Sequence, residues 1–260
     1  MKNRTVLPNL YIGVLLALTY VPILLVIIYS FNASRISSMW SGFSISWYGA
    51  LLRDRSIFDA LRNSVVLATL ASVCAAVVGT LGAVGMSRVK WKANGAVEYI
   101  SILPIMIPEI ILGMVFIVFF ALIGIPFGFP ALVVGHTMFC IPYVFLMVKA
   151  RLAGMDKSYI EAAKDLGASE LRAFYDITFP LLRPAIISGM LLSFAMSMDD
   201  VIISMFLTNA ESNTLPLKIY TQLRTGVTPK TNALCALMFA FTLLMGGLSF
   251  WVGRRAQNRD

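Results

Sequence analysis

Residues 155–184 read MDKSYIEAAKDLGASELRAFYDITFPLLRP, and the placing of this stretch decides the fold. It is a long polar segment between two runs, about Ala131–Val148 and Ala185–Leu207, that are apolar enough to be membrane spans. Its local pattern predicts helix, turn, helix. Ser158 followed by Glu161 fits a capping box, in which each side chain satisfies an orphan amide at the helix start. Gly167 stands where a left-handed C-terminal cap belongs, and Ser169 is placed to cap a second short helix. Pro180 and Pro184 are expected to close the unit before the next span. Ile160, Ala163 and Leu166 share one face of the first helix, while Leu171, Phe174 and Tyr175 cluster on the second. So small a unit cannot bury these residues by itself. It either lies on the headgroups or offers them to another surface.

Working outward, 58% of the 260 residues are hydrophobic and 13% charged, with a mean hydropathy of +0.81. Soluble domains carry about 25% charged residues, so an all-α integral membrane protein is expected. The chain reads as one transmembrane domain over residues 1–260, without a linker, low-complexity tract or soluble domain. The net charge of +8 comes without a basic cluster interleaved with stacking aromatics, so nucleic acid is not an expected partner. Cys74, Cys140 and Cys235 are odd in number and lie in separate spans, which suggests neither a disulfide framework nor a metal site. No Gly-x-x-x-x-Gly-Lys-Ser/Thr occurs, so ATP hydrolysis is not expected of this chain, and no cofactor is implied.

Six spans are predicted, about Leu10–Phe31, Asn63–Ser87, Ala96–Ile123, Ala131–Val148, Ala185–Leu207 and Thr231–Val252. The first is too long for a signal-peptide core and is read as a retained anchor. Trp40, Trp47 and Tyr48, in the polar segment after it, suit an interface or a docking surface. Ala75, Gly79 and Ala83 recur at four-residue steps with Gly82 adjacent, so a neighbouring backbone can come close. The third span carries Pro104 and Pro108 just before Glu109 and should be kinked or open. His136 and Pro142 lie within the fourth, and the histidine is expected to hydrogen-bond inside the bundle. With both termini in the cytoplasm, fourteen of the 21 lysines and arginines fall inside, which favours that orientation and puts Glu161 on the cytoplasmic side.

Glu109, Asp199 and Asp200 sit inside apolar spans, where an acid near the centre costs roughly 2.5–3.5 kcal/mol. The spans as drawn offer no interior lysine or arginine to pair with them. Either they are protonated, or a second subunit pairs them, or a cationic substrate visits them. Ser193, Ser197, Asp200 and Ser204 recur at steps of four, three and four, forming a polar stripe that reads as a pathway lining, with Asp199 at its border.

The spacing Glu161-Ala162-Ala163, Gly167, Ile177, Pro180 resembles the EAA signature of ABC-importer permease subunits, which seat this loop as a coupling helix in a groove of a separate ATPase. Phe179 stands where that family usually has Leu, and it keeps an apolar plug. SFAMSMDDVIISMF (193–206), LPLKIYTQLRTGVTPKTNAL (215–234) and EAAKDLGASE (161–170) are similar to permease subunits of spermidine/putrescine ABC importers, with weaker likeness along nearly the whole chain. The resemblance implies a type I ABC-importer permease fold in the cell inner membrane. It also implies a second permease subunit of similar fold, two ATPase subunits and a periplasmic polyamine-binding protein as partners. Glu161, Ala162, Ala163, Gly167, Ile177 and Pro180 are then expected at the coupling contact, and Asp199, Asp200, Glu109, Ser197 and Ser193 along the substrate pathway. Two other readings are open: an ABC permease for another small solute, and a self-contained cation-coupled transporter.

Overall fold

The computed structural model describes residues 6–35, 39–88, 94–156, 158–240 and 243. Among the described residues every regular element is a helix, apart from one isolated bridge between Asn32 and Phe43. Helices Leu10–Tyr29, Arg55–Arg88, Phe129–Ala153 and Glu170–Asp199 are long and apolar enough to cross a membrane, and the bent pair Asn94–Met106 with Glu109–Ile123 adds a fifth if taken as one span. Residues 229–240 are helical, and most of the remaining sixth expected span lies outside the described residues. So do Lys2, Arg4, Lys90, Lys92, Lys157 and the terminal arginines of the charge tally. The chain divides into two compact units.

One unit is Met1–Phe58 with Ile219–Asp260. Its first helix, α1 (Val6–Tyr29), leaves most of its described large apolar side chains exposed, as a lipid-facing span does. The polar chain after it is organised by Asn32, which is fully buried. Its Nδ2 donates to the Met39 carbonyl at 2.7 Å, and its Oδ1 accepts from the amides of Ser34 and Ser41. Trp47, in the short α2 (Ser46–Leu52), donates Nε1–H to the Asn32 carbonyl at 2.8 Å, and Tyr48 shares a 2.6 Å hydrogen bond with Ser30. The aromatics of this segment therefore hold a loop together, while Trp40 stays half exposed. Asp54 accepts from Ser56 and from the Lys230 ammonium at 2.6 Å. These bonds hold its carboxyl down at about 2 from an ordinary value of 3.8.

The other unit, Asp59–Lys218, is built on a central helix. Most of α3 (Arg55–Arg88) belongs to it, followed by α4 (Asn94–Met106), α5 (Glu109–Ile123) and the central α6 (Phe129–Ala153). Two short helices, α7 (Ser158–Asp165) and α8 (Glu170–Ala173), lead through a π-helical turn (Phe174–Thr178) into α9 (Phe179–Asp199). Then come α10 (Ile202–Leu207) and the start of α11 (Leu215–Thr225). α6 lies along α9, and its apolar residues Leu132, Phe139, Val144, Phe145 and Val148 are buried among side chains such as Leu67, Phe116, Phe120, Leu182 and Ile203. A Cβ on Gly189 of α9 would stand 2.9 Å from the Val144 Cα, and one on Gly79 of α3 would stand 3.0 Å from the Ile141 carbonyl and the Phe145 amide. The small-residue steps of the second span thus bring two backbones together, as the spacing predicts.

Two expected spans differ from their sequence outlines. The third is broken at Ile107–Pro108, and its halves are bent by 110°. Pro108 has no amide to continue α4, and its extended backbone (ψ 131°) starts α5 afresh. The fifth does not begin after Pro184 but at Phe179, with Pro180 in its first turn and Pro184 inside it, so the prolines do not close the loop unit. A proline in a helix collides with the carbonyl four residues earlier, and the widened π turn just before Pro180 gives the Asp176 carbonyl room. The same span ends early, because Asp200 is extended (ψ 129°) and separates α9 from α10.

Candidate functional site

The loop of residues 155–184 forms a helix, a left-handed turn and a second helix. Its start is held by Asp156, whose Oδ1 accepts from the Ser158 amide at 2.9 Å and whose carboxyl is lowered by hydrogen bonds from that residue. This takes the place of the expected Ser158–Glu161 capping box. At the other end of α7, Gly167 has φ +84°, its amide reaches the Lys164 carbonyl at 2.9 Å, and the Ala168 amide reaches the Ala163 carbonyl at 3.0 Å. That pair of bonds is a Schellman cap, which needs a residue at ease with positive φ. Ser169 Oγ then accepts from the Arg172 amide at 3.3 Å and starts α8. Lys164 bridges to Glu170 at 2.8 Å across the turn and, with Arg88, lowers the Glu170 carboxyl.

Of the six residues expected at a coupling contact, Glu161, Ala162, Gly167 and Pro180 are exposed, and Ala163 and Ile177 are half-buried. Ala163, Gly167 and Ile177 line a groove of about 290 Å³ together with Leu166, Arg172 and Asp176. Leu166 is 90% exposed, and Leu171, Tyr159 and Tyr175 also stand out from the surface. So much bare apolar surface on a polar loop is the kind that suits an interaction site. On the membrane side the loop is anchored by Arg88 over the Phe174 ring, Arg183 over the Phe179 ring, and the Arg151 Nε–H to the Leu181 carbonyl.

Inside the bundle, the polar stripe is turned toward α6 instead of lining an open path. Ser193 Oγ donates to the Cys140 carbonyl at 3.3 Å, and Cys140 Sγ returns a bond to the Ser193 carbonyl at 3.4 Å. One turn on, Ser197 Oγ is 2.8 Å from His136 Nδ1. Beyond the helix break, His136 Nε2 lies 3.2 Å from Ser204 Oγ and 3.4 Å from Asp200 Oδ2. Asp200 itself accepts from the amides of Ile203 (3.1 Å) and Ser204 (2.8 Å), so it caps α10. Ser193, Ser197, Asp200, Ser204 and His136 are all buried. Within this chain Ser193, Ser197 and Asp200 are thus covered by α6. His136, expected to hydrogen-bond inside the bundle, does so, and it is the ring that meets Asp200. His136 and Cys140 are four apart on one helix, as are Ser193 and Ser197 on its antiparallel neighbour, so the two pairs meet in register.

Asp199 and Glu109 are placed differently. Asp199, the last residue of α9, is exposed, and Glu109, in the first turn of α5, is half-buried. α5 packs on α10, which brings the two helix breaks together, and Glu109 is near enough for the charges of Asp199 and Asp200 to act on it. A carboxylate in the first turn of a helix is favoured by the free amides there. Two breaks and two acids, one exposed and one half-buried, thus lie beside α6, an arrangement that suits a site for a cationic group.

Residues 75–258 match the family model described as "Binding-protein-dependent transport system inner membrane component". The Spermidine/putrescine transport system permease protein PotC of Haemophilus influenzae is 38% identical over 253 residues, covering 97% of this chain and 98% of that protein. The protein of the same name from Escherichia coli K12 is 39% identical over 229 residues, 88% of this chain and 87% of its own. The Putrescine transport system permease protein PotI of E. coli K12 is 35% identical over 247 residues, with 92% and 88% covered. Among solved structures, a chain of a bacterial ABC transporter that imports the acidic polysaccharide alginate superposes with a TM-score of 0.73 at 16% identity, over 98% of both chains. A chain of the inward-facing MetNI methionine ABC transporter gives 0.63 at 19% identity, over 82% of this chain and 97% of its own. At those identities the two structures speak for the fold alone.

Proposed function

This chain belongs to the family of binding-protein-dependent transport system inner membrane components, and from that premise we propose that it is the permease subunit of an ABC importer carrying polyamines into the cytoplasm. Identity along almost the full length to a spermidine/putrescine permease supports the cargo. The observation that carries the mechanism is the capped helix-turn-helix loop with bare Leu166, Leu171 and Tyr175. In this reading six spans cross the inner membrane with both termini in the cytoplasm. A second permease subunit of similar fold completes the pathway, two ATPase subunits hydrolyse ATP, and an extracytoplasmic binding protein delivers the cargo. Glu161, Ala162, Ala163, Gly167, Ile177 and Pro180 form or shape the surface on which an ATPase pulls.

Asp199 and Glu109 meet the ammonium groups of the cargo. Ser193, Ser197 and Asp200 build the wall that sets where Asp199 points. A polyamine in the path is held by charge and hydrogen bonds that an apolar bilayer core cannot offer. Two carboxylates at a membrane-depth gap supply them while leaving the cation free to move on. The test is uptake competition among di-, tri- and tetra-amines in cells expressing the complete complex, in the wild type and in Asp199→Asn. Competition by polyamines and loss of uptake in the variant support the proposal. Uptake indifferent to every amine would remove the cargo.

A further inference from the structure

The break between α9 and α10 poses a physical problem that Asp200 solves only in part. Where a helix stops inside a bundle, the first amides of the next helix have no partner and no water to replace one. Asp200 takes two of those amides, Ile203 and Ser204, with its two carboxylate oxygens. That places a carboxylate in a buried position, and a buried carboxylate needs more than two neutral donors to be at rest. A further contact comes from a histidine ring. His136 Nε2 lies 3.4 Å from Asp200 Oδ2 and 3.2 Å from Ser204 Oγ, on the far side of the break. His136 Nδ1 lies 2.8 Å from Ser197 Oγ, on the near side. The imidazole therefore ties the last turn of α9 to the first turn of α10 from a third helix, and it does so while fully buried.

We infer that His136 is the positioning residue of the pathway: a crossbar that fixes the α9–α10 break, keeps Asp200 turned inward as a cap, and so leaves Asp199 as the carboxylate presented outward. Because Asp199 is the exposed terminal residue of α9, any change in the angle at the break moves it directly. This rests on the proposed role of Asp199 in transport, but its structural half stands apart from the identity of the cargo.

The two ring nitrogens do different work, and that makes the inference testable. An asparagine at 136 keeps a polar atom near the Nδ1 position and so retains the Ser197 contact alone. A glutamine reaches the Nε2 position and retains the contacts to Asp200 and Ser204. Hydrogen–deuterium exchange is measured on the assembled complex in nanodiscs, on peptides covering Asp200–Phe206, alongside polyamine uptake by the same variants. His136→Asn and the apolar His136→Phe are expected to speed exchange of the Ile203 and Ser204 amides by about tenfold or more, the loss of a hydrogen bond to a charged group, and to depress uptake. His136→Gln is expected to restore exchange toward the wild type, and uptake only in part, because the Ser197 contact that holds α9 is still missing. Equal behaviour of Asn and Gln, or wild-type exchange in His136→Phe, would overturn the assignment. So would failure of all three variants to assemble, which would make His136 a folding residue. Altered exchange with unaltered uptake would keep the crossbar and remove its link to Asp199. Absence of polyamine uptake in the wild-type complex would count against the cargo and leave the exchange result standing.

Discussion

Gly167 offers the sharpest perturbation of the coupling loop, because its backbone and its surroundings make separable predictions. Its φ of +84° is the left-handed conformation that closes the Schellman cap of α7, yet a Cβ built there meets nothing within 4 Å. A substitution is therefore disfavoured by the backbone alone and not by collision. For an L-residue the left-handed region costs roughly 1–2 kcal/mol, with alanine at the low end and β-branched residues at the high end. At 1.4 kcal/mol per tenfold, Gly167→Ala should depopulate the turn about fivefold and Gly167→Val by about 30-fold. An eight-residue helix held by Asp156 at its start, one cap at its end and one exposed ion pair has little reserve to absorb this. The loss then passes into the apparent affinity for whatever docks on the loop. The assay is titration of the ATPase subunit onto the permease complex in nanodiscs, read as binding and as cargo-stimulated ATP hydrolysis, with membrane insertion as the control. Asparagine tolerates left-handed φ, so Gly167→Asn should bind nearly as the wild type does, although it is larger than alanine. Weaker binding for Asn than for Ala would show that size and not backbone governs the site. Wild-type coupling in Gly167→Val would refute the role of the turn altogether.

Asp199 and Asp200 should separate cleanly: Asp199→Asn lowers uptake with assembly intact, whereas Asp200→Ala removes the α10 cap, at about 0.5–2 kcal/mol, and lowers the melting temperature of the complex. A reversed pattern would exchange their roles. Gly189→Val drives side-chain carbon into the Val144 backbone, where a bare Cβ already stands at 2.9 Å, and should cost about 1–3 kcal/mol by overpacking. A melting temperature unchanged from the wild type would count against the close α6–α9 approach. The Asp54–Lys230 pair carries a pH signature. Because the Asp54 carboxyl is held at about 2 in the folded state against an ordinary 3.8, its contribution is complete above the ordinary value and is lost as pH falls toward 2. Lys230→Met should therefore destabilise at neutral pH and lose that difference on acidification, and a difference independent of pH would remove the ion pair from the account.

Periodicity reaches far in this chain because lipid imposes one rule on every span. The centres of the first five spans, the kink near Pro108, the Gly79 approach, the Gly167 turn and the Ser169 cap are all visible in residue order. What periodicity assumes is an unbroken helix, and that is where it fails. The stripe Ser193, Ser197, Asp200 and Ser204 keeps its common face, but nothing in the sequence says that the face meets His136 instead of water, since that depends on which helix lies opposite. The extended backbone at Asp200 was equally hidden, because no proline or glycine marks it and its cap is made by the carboxylate itself. In the coupling loop, Pro180 and Pro184 look like terminators, yet α9 starts before Pro180, next to the π turn of Phe174–Thr178, and runs on through Pro184.

The central claim is that this chain is a passageway driven by a motor on other chains, and reconstitution tests it most directly. Proteoliposomes holding the complete complex, with binding protein outside and ATP inside, should accumulate labelled spermidine or putrescine against a gradient, and those holding this chain alone should not. Accumulation by the lone chain without nucleotide would contradict it.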